Sequence, residues 1–331
     1  MQSAFFIWHS KLALYSIKPY FLAMKNIPIH KVVKCENQRQ SLLEIGYCIG
    51  GNIGVENVKR LRELYAALHN FGGNEGGGMF YSLYSDDLAY RQKVHNEIYE
   101  ILKPVYDNLL VDYKTVINSF IVKKQGKGSD FTLHQDSTGL DETVYSPLSL
   151  WTPLQDTDLN NGTLCVIPKS HRMFHFLRGI SFAAPFAAYQ EVLFRYLQPI
   201  NLKAGDILMF DNRLVHYSHT NESTQERIVV MSGIFPQEAE IWSVYKDESI
   251  ANSAYEIYSQ TDDFLITNTA FYKNCTERPY RGELIKTIET PLEAVTVYDF
   301  MSMAAANGVQ ATNVPVLMQP LHEMNIISEP V

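Results

Sequence analysis

Between residues 112 and 235 the chain divides into short apolar runs at 116–123, 149–154, 164–168, 206–210, 214–218 and 227–235. Turn formers stand between many of them, including Gly126, Gly128, Asn160-Asn161-Gly162 and Gly205-Asp206. A helix needs a longer periodic stretch to bury a face, whereas strands of this length do so by simple alternation. Many short strands in one block hide their edges by closing on themselves, so the pattern predicts a mainly β jelly roll or barrel.

Helical periodicity precedes this block. Val58, Leu61, Leu64, Tyr65 and Leu68 form one apolar face over 55–68. Leu88, Val94, Ile98, Ile101, Leu102, Val105 and Leu109 form a second, with Pro104 expected to kink it. Between them, five glycines in the eight residues 71–78 lack the Gly-Lys-Ser/Thr ending of a phosphate loop and are read as a mobile loop. From residue 237 onward the chain is mixed and tyrosine-rich, without repeats, and is expected to be an ordered extension.

Charge narrows the partners. With 28 basic against 36 acidic residues and a net charge of −8, the chain has no electrostatic footprint for a phosphate backbone, so nucleic acid is not expected. Four dispersed cysteines without a C-x-x-C fit neither a disulfide framework nor a zinc knuckle and point to a reducing, cytoplasmic setting. No apolar run reaches the roughly 18 residues that span a bilayer, so no membrane association is expected. Residues 1–35 hold five lysines and no acid, a bias shared with organelle-targeting peptides; the alternative is an extension packed by Phe5, Phe6, Trp8 and Phe21.

The chemistry begins at Phe131-Thr132-Leu133-His134-Gln135-Asp136, where an extended backbone turns His134 and Asp136 to one face. Such a triplet is weak evidence alone. A hairpin with its turn near Glu222-Ser223 would set Ser218 opposite Arg227, with His216 on the same face and His219 on the other. Two histidines and a carboxylate are the facial ligand set of non-haem Fe(II) oxygenases, leaving positions for a co-substrate and dioxygen. Arg227 beside Ser218 suits a bidentate hold on the distal carboxylate of 2-oxoglutarate. Asn118 is a further candidate contact to 2-oxoglutarate, the other reading being a sheet amide satisfied by its neighbours.

These segments resemble the phytanoyl-CoA dioxygenase family of Fe(II)- and 2-oxoglutarate-dependent oxygenases. The matching text is His134-Gln135-Asp136, Leu150-Trp151-Thr152-Pro153-Leu154, Asn161-Gly162-Thr163 through Pro168-Lys169-Ser170-His171, Gly205-Asp206 through Phe210, and His216-Tyr217-Ser218 through Asn221 to Arg227. The resemblance implies a cupin-like double-stranded β-helix, with His134, Asp136 and His216 as catalytic metal ligands and Arg227 and Ser218 as co-substrate anchors. It also places the Trp151 indole near 2-oxoglutarate. The implied activity is hydrogen abstraction from a small metabolite, ending in hydroxylation with release of succinate and CO2. The expected organisation is an extension at 1–35 and one oxygenase domain over 36–331, its jelly-roll core at about 112–235 followed by a C-terminal extension.

The chain departs from the family's usual Pro-Gly-Ser-His at Lys169 and from a small residue at His219, neither of them a ligand position. Asp136 retains the carboxylate that halogenating relatives lack. His171 and His175, with Arg172 and Arg178 nearby, are read as a structural turn followed by a surface helix rather than a second metal site. A zinc hydrolase or a non-catalytic jelly-roll binding protein are the competing classes, and neither needs a carboxylate clamp 11 residues past a ligand. Substrate and oligomeric state are not legible.

Overall fold

Alternating side chains over the strand-rich block are sorted onto the two faces of a pair of antiparallel sheets. In the computed structural model, which describes residues 27–68, 78–126, 128–184, 186–247, 249–250, 253–268, 282–289, 295–312 and 314, the larger sheet has six strands. Their order is β1 (Tyr47–Asn52), β8 (Asp206–Asp211), β5 (Leu148–Pro153), β10 (Arg227–Pro236), β3 (Tyr113–Lys123) and β2 (Met79–Tyr81). The smaller sheet runs β4 (Phe131–His134), β9 (His216–Ser218), β6 (Leu164–Val166), β7 (Gln198–Pro199). Successive strands switch between the sheets, which is the jelly-roll arrangement of a double-stranded β-helix.

Along β10, Ile228, Val230 and Ile234 face outward into a core shared with α1 (Glu36–Ile45), α2 (Val55–Leu68) and α3 (Leu88–Leu109). Arg227, Met231, Gly233 and Phe235 face the space between the sheets. The helices supply the apolar stripes read from the sequence: Leu61, Ile98 and Leu102 are fully buried against Phe120 and Val122 of β3. Tyr65 meets Phe120 edge to face at 5.4 Å. Removing a ring so enclosed costs about 3–5 kcal/mol. Helix α3 starts where the Asp87 carboxylate accepts from the Tyr90 amide, and it continues through Pro104 to Leu109 without a break.

The smaller sheet buries its outer face beneath residues 173–197 and α6 (Val297–Ala306), with Phe174 stacked on Phe300 at 5.8 Å. The rest of the C-terminal extension forms a three-stranded sheet, β11 (Ile241–Tyr245), β12 (Tyr255–Gln260) and β13 (Leu284–Ile288), with α5 (Phe264–Thr267) after its second strand. No helix among the described residues is long and apolar enough to cross a membrane.

One expectation is corrected, and two further positions show contacts that the sequence does not reveal. His171 lies in a single 3-10 turn, Ser170–Arg172, and no surface helix follows until the short α4 (Gln190–Phe194). His171 is instead buried, its Nε2 at 3.1 Å from the Leu43 carbonyl, and its ring leaves no space for a Cβ at the left-handed Gly46 that ends α1. Second, residues upstream of Glu36, where the oxygenase domain is expected to begin, pack against it. Val32 and Val33 are in the core and His30 Nε2 lies 2.9 Å from the buried Asp211 carboxylate. Third, Lys169 holds a left-handed backbone, φ 65°, where its usual counterpart is glycine. Its ammonium donates to the Asn307 carbonyl at 2.7 Å just past α6, a contact that glycine lacks. The targeting reading of residues 1–26 and the glycine-rich loop up to residue 77 lie outside the described residues.

Candidate active site

Strand β4 carries one more residue than its partner between two paired positions, so Phe131 lies across from Ser218 and His134 across from His216. A bulge of this kind re-aims the side chains at a strand end. Here it brings the two imidazoles to 4.1 Å between centroids. Each ring is fixed by its own strand: His134 Nδ1 donates to the Thr132 carbonyl at 2.7 Å and His216 Nδ1 to the Leu214 carbonyl at 2.9 Å. A carbonyl only accepts, so in both rings the proton sits on Nδ1 and Nε2 keeps a free lone pair. Burial, together with the neighbouring His216, holds the His134 imidazole well below its ordinary range and hence neutral.

Asp136 follows β4 in the connecting loop, its Oδ1 at 3.7 Å from His134 Nε2 and 3.8 Å from His216 Nε2. Its other oxygen, Oδ2, accepts from Ser149 Oγ at 2.9 Å. The loop backbone is pinned at both of its polar groups: the Asp136 amide donates to the Asn212 carbonyl, and its carbonyl accepts from Arg178 Nε at 2.7 Å. Arg178 is itself held by both Glu142 oxygens and the Phe176 carbonyl. The three ligand atoms lie within 4.8 Å of one another on one side of a cavity, a donor set that fits a divalent transition metal with its remaining positions open.

The cavity, about 340 Å³, also receives Trp151, Ser218 and Arg227. Arg227 is 1% exposed and its Nε and Nη1 have no hydrogen-bond partner. Burial pulls this guanidinium down from 12.5 to about 9, which still leaves it charged at neutral pH. Trp151 stands 5.4 Å away in a cation–π contact. Lys123, the register partner of Arg227, is also fully buried, but its ammonium donates to the carbonyls of Ser218 and His219 at 2.7 and 2.5 Å.

The anticipated hairpin does not exist. Strand β9 pairs with β4 and β6 in one sheet, and β10 pairs with β3 and β5 in the other. Asn221, bonded to the carbonyls of Lys123 and Gln225, holds the connection as a crossing between sheets. Ser218 and Arg227 therefore reach the cavity from opposite walls. His219 does turn away, towards Tyr217 and Glu222. Asn118 is corrected too: it shares a face with Phe120 and Val122 beneath α3 and is not among the lining residues. Its amide is occupied by the His95 carbonyl at 3.3 Å and by Ser232 Oγ at 2.6 Å. The sequence reading missed Ser149, although it shares a strand face with Trp151 two residues on. It also missed the wall residues Tyr84, Phe235, Trp242 and Leu265, which no local pattern marks.

Residues 79–229 match the family model described as phytanoyl-CoA dioxygenase (PhyH). A phytanoyl-CoA dioxygenase domain-containing protein 1 homolog of Dictyostelium discoideum is 31% identical over 153 residues, 43% of this chain and 51% of that protein. The phytanoyl-CoA dioxygenase of Arabidopsis thaliana is 33% identical over 114 residues, covering 33% and 39% respectively. The chain thus spans about half or less of the length of these relatives. Among solved structures, EctD from S. alaskensis with bound Fe superposes with a TM-score of 0.46 at 16% identity, over 66% of this chain and 86% of that one. The carbocyclase SnoK from nogalamycin biosynthesis gives 0.46 at 15%, over 62% and 86%. Over the stretch 79–229 the chain is accordingly similar to the phytanoyl-CoA dioxygenase family.

Proposed function

We propose that the protein is an Fe(II)- and 2-oxoglutarate-dependent oxygenase that hydroxylates a small molecule. The observation that carries this reading is the buried, unpartnered guanidinium of Arg227 in the same cavity as the His134, Asp136 and His216 ligand set. An unpaired buried charge is costly and is tolerated where a ligand of opposite charge completes it. Neither a zinc hydrolase nor a binding protein has a use for it.

His134, Asp136 and His216 would hold iron, and Arg227 with Ser218 would take the distal carboxylate of 2-oxoglutarate. Bound there, iron and 2-oxoglutarate would activate dioxygen, which supplies the oxidising power for attack on an unactivated C–H bond while 2-oxoglutarate is converted to succinate and CO2. The chain's own residues position and insulate. Thr132 and Leu214 carbonyls hold the Nδ1 protons and so turn both Nε2 atoms towards the ion, Ser149 holds Asp136 Oδ2 aside so that Oδ1 faces it, and Trp151 covers the guanidinium. The retained Asp136 carboxylate occupies the position a halide would need, which favours hydroxylation over halogenation.

The test is an anaerobic titration of Fe(II)-loaded protein with 2-oxoglutarate, following the visible charge-transfer band of the chelate. A band is expected for the wild type and for His219→Ala, and none for His134→Ala, Asp136→Ala or His216→Ala. Iron-loaded wild type that takes up 2-oxoglutarate without a band would sink the proposal.

A further inference from the structure

The substrate side of the cavity has a chemistry of its own. Among the lining residues, the charged or metal-binding side chains are His134, Asp136, His216 and Arg227, and all four serve the metal or the co-substrate. The wall beyond them is neutral and largely aromatic or aliphatic: Tyr84, Ile117, Ile180, Phe235, Trp242 and Leu265. Tyr84 packs against Tyr81 with centroids 4.7 Å apart, which makes that side a broad ring surface. Three cations close to the site are engaged elsewhere. Lys123 is sealed on two carbonyls, Lys169 donates to Asn307, and Arg178 is clamped on Glu142. At about 340 Å³, the cavity stands at the lower end of the roughly 300–1,000 Å³ of small-molecule sites, and 2-oxoglutarate must share it.

We infer that the substrate is a compact, uncharged, predominantly apolar molecule, and that the segment after residue 229 shares in selecting it. A carboxylate or phosphate in this wall would be desolvated with no cation among the described lining residues to meet it once 2-oxoglutarate holds Arg227, a cost that neutral molecules of the same skeleton avoid. Phe235, Trp242 and Leu265 all follow the stretch that matches the family model, so half of the named wall is written outside that stretch and the choice of substrate need not follow the family's acyl thioester. The inference rests on the oxygenase reading for what is done to the molecule, but not for whether it binds.

The experiment compares three probes with one skeleton: methyl adamantane-1-carboxylate, adamantane-1-carboxylate, and the coenzyme A thioester of that acid. Dissociation constants are measured by calorimetry on the Fe(II) and 2-oxoglutarate-loaded protein and on metal-free protein. The charge-transfer band in the loaded sample reports the oxygenase reading separately. In the loaded sample, where 2-oxoglutarate occupies Arg227, the neutral ester is expected to bind at least 10-fold more tightly than the free acid or the thioester; in the metal-free sample, with Arg227 open, the ester should still outbind the thioester at least 10-fold. Trp242→Ala should weaken the ester at least 5-fold while the band persists, and Leu265→Lys, at a half-buried position, should reverse the preference towards the acid. Equal or tighter binding of the acid by the loaded wild type, or of the thioester by either sample, overturns the inference. So does a Leu265→Lys protein that binds 2-oxoglutarate normally yet keeps the ester preference.

Discussion

Replacing Arg227 by methionine should make the ligand-free protein more stable and the co-substrate site useless. Methionine keeps the length and packing of the side-chain stem and removes the charge. The fall of the guanidinium from 12.5 to about 9 corresponds, at about 1.4 kcal/mol per pH unit, to on the order of 5 kcal/mol held against the charged form. The contact to Trp151 returns about 1–2 kcal/mol of this, and relaxation of the surroundings returns more. A net gain of about 2 kcal/mol is therefore expected, and removal of Arg227 also relieves Lys123, whose ammonium burial and this neighbour both disfavour. For a chain of this size that raises Tm by roughly 4 °C. The loss shows on the other side of the ledger, since 2-oxoglutarate forfeits a charge-assisted, two-pronged contact worth at least about 2 kcal/mol, or about 30-fold in Kd. Calorimetric melting of the metal-loaded protein with and without saturating 2-oxoglutarate reads both effects. Wild type should be stabilised by the co-substrate far more than Arg227→Met. A variant that melts lower than wild type without ligand, yet binds 2-oxoglutarate as tightly, would show that Arg227 is a satisfied structural residue and refute the reasoning.

Ser149→Ala removes the hydroxyl that holds Asp136 Oδ2 and should lower Fe(II) affinity about 10- to 100-fold with the fold intact, as measured by competition with a chelator. A chain beginning at Glu36 loses Val32, Val33 and the His30 contact to Asp211, and its urea midpoint should drop by the equivalent of at least about 3 kcal/mol. Burial holds His95, His171 and His175 each at about 4, below the usual 6.5, so the unfolded chain binds more protons between those values. Stability should therefore be full above pH 6.5 and decline as pH falls towards 4, and His95→Gln should make that decline shallower in equilibrium unfolding.

The ligands were legible in the sequence because the pattern is local in each half: His134 and Asp136 sit two apart at a strand end, and His216 opens a second short strand. The residue types that bind a divalent metal are few enough to stand out. Strand-length runs and helical stripes were legible for the same reason, since alternation and 3.6-residue periodicity are properties of neighbouring residues. Partnership between strands is not such a property. The hairpin expected between His216 and Arg227 is absent because β9 and β10 pair with different strands in opposite sheets, so the same two side chains meet across the cavity instead of along one surface. Asn118 was misassigned because its face depends on the register of β3 against β10. Lys123 opposite Arg227 points inward, and Asn118, five positions earlier, points outward to His95 and Ser232. Trp242 and Leu265 reach the cavity only because the C-terminal extension folds back over it. Sequence alone determined the chemistry at the centre of this site, while the orphaned charge of Arg227 and the neutral wall beside it exist only once distant segments have excluded water from the same space.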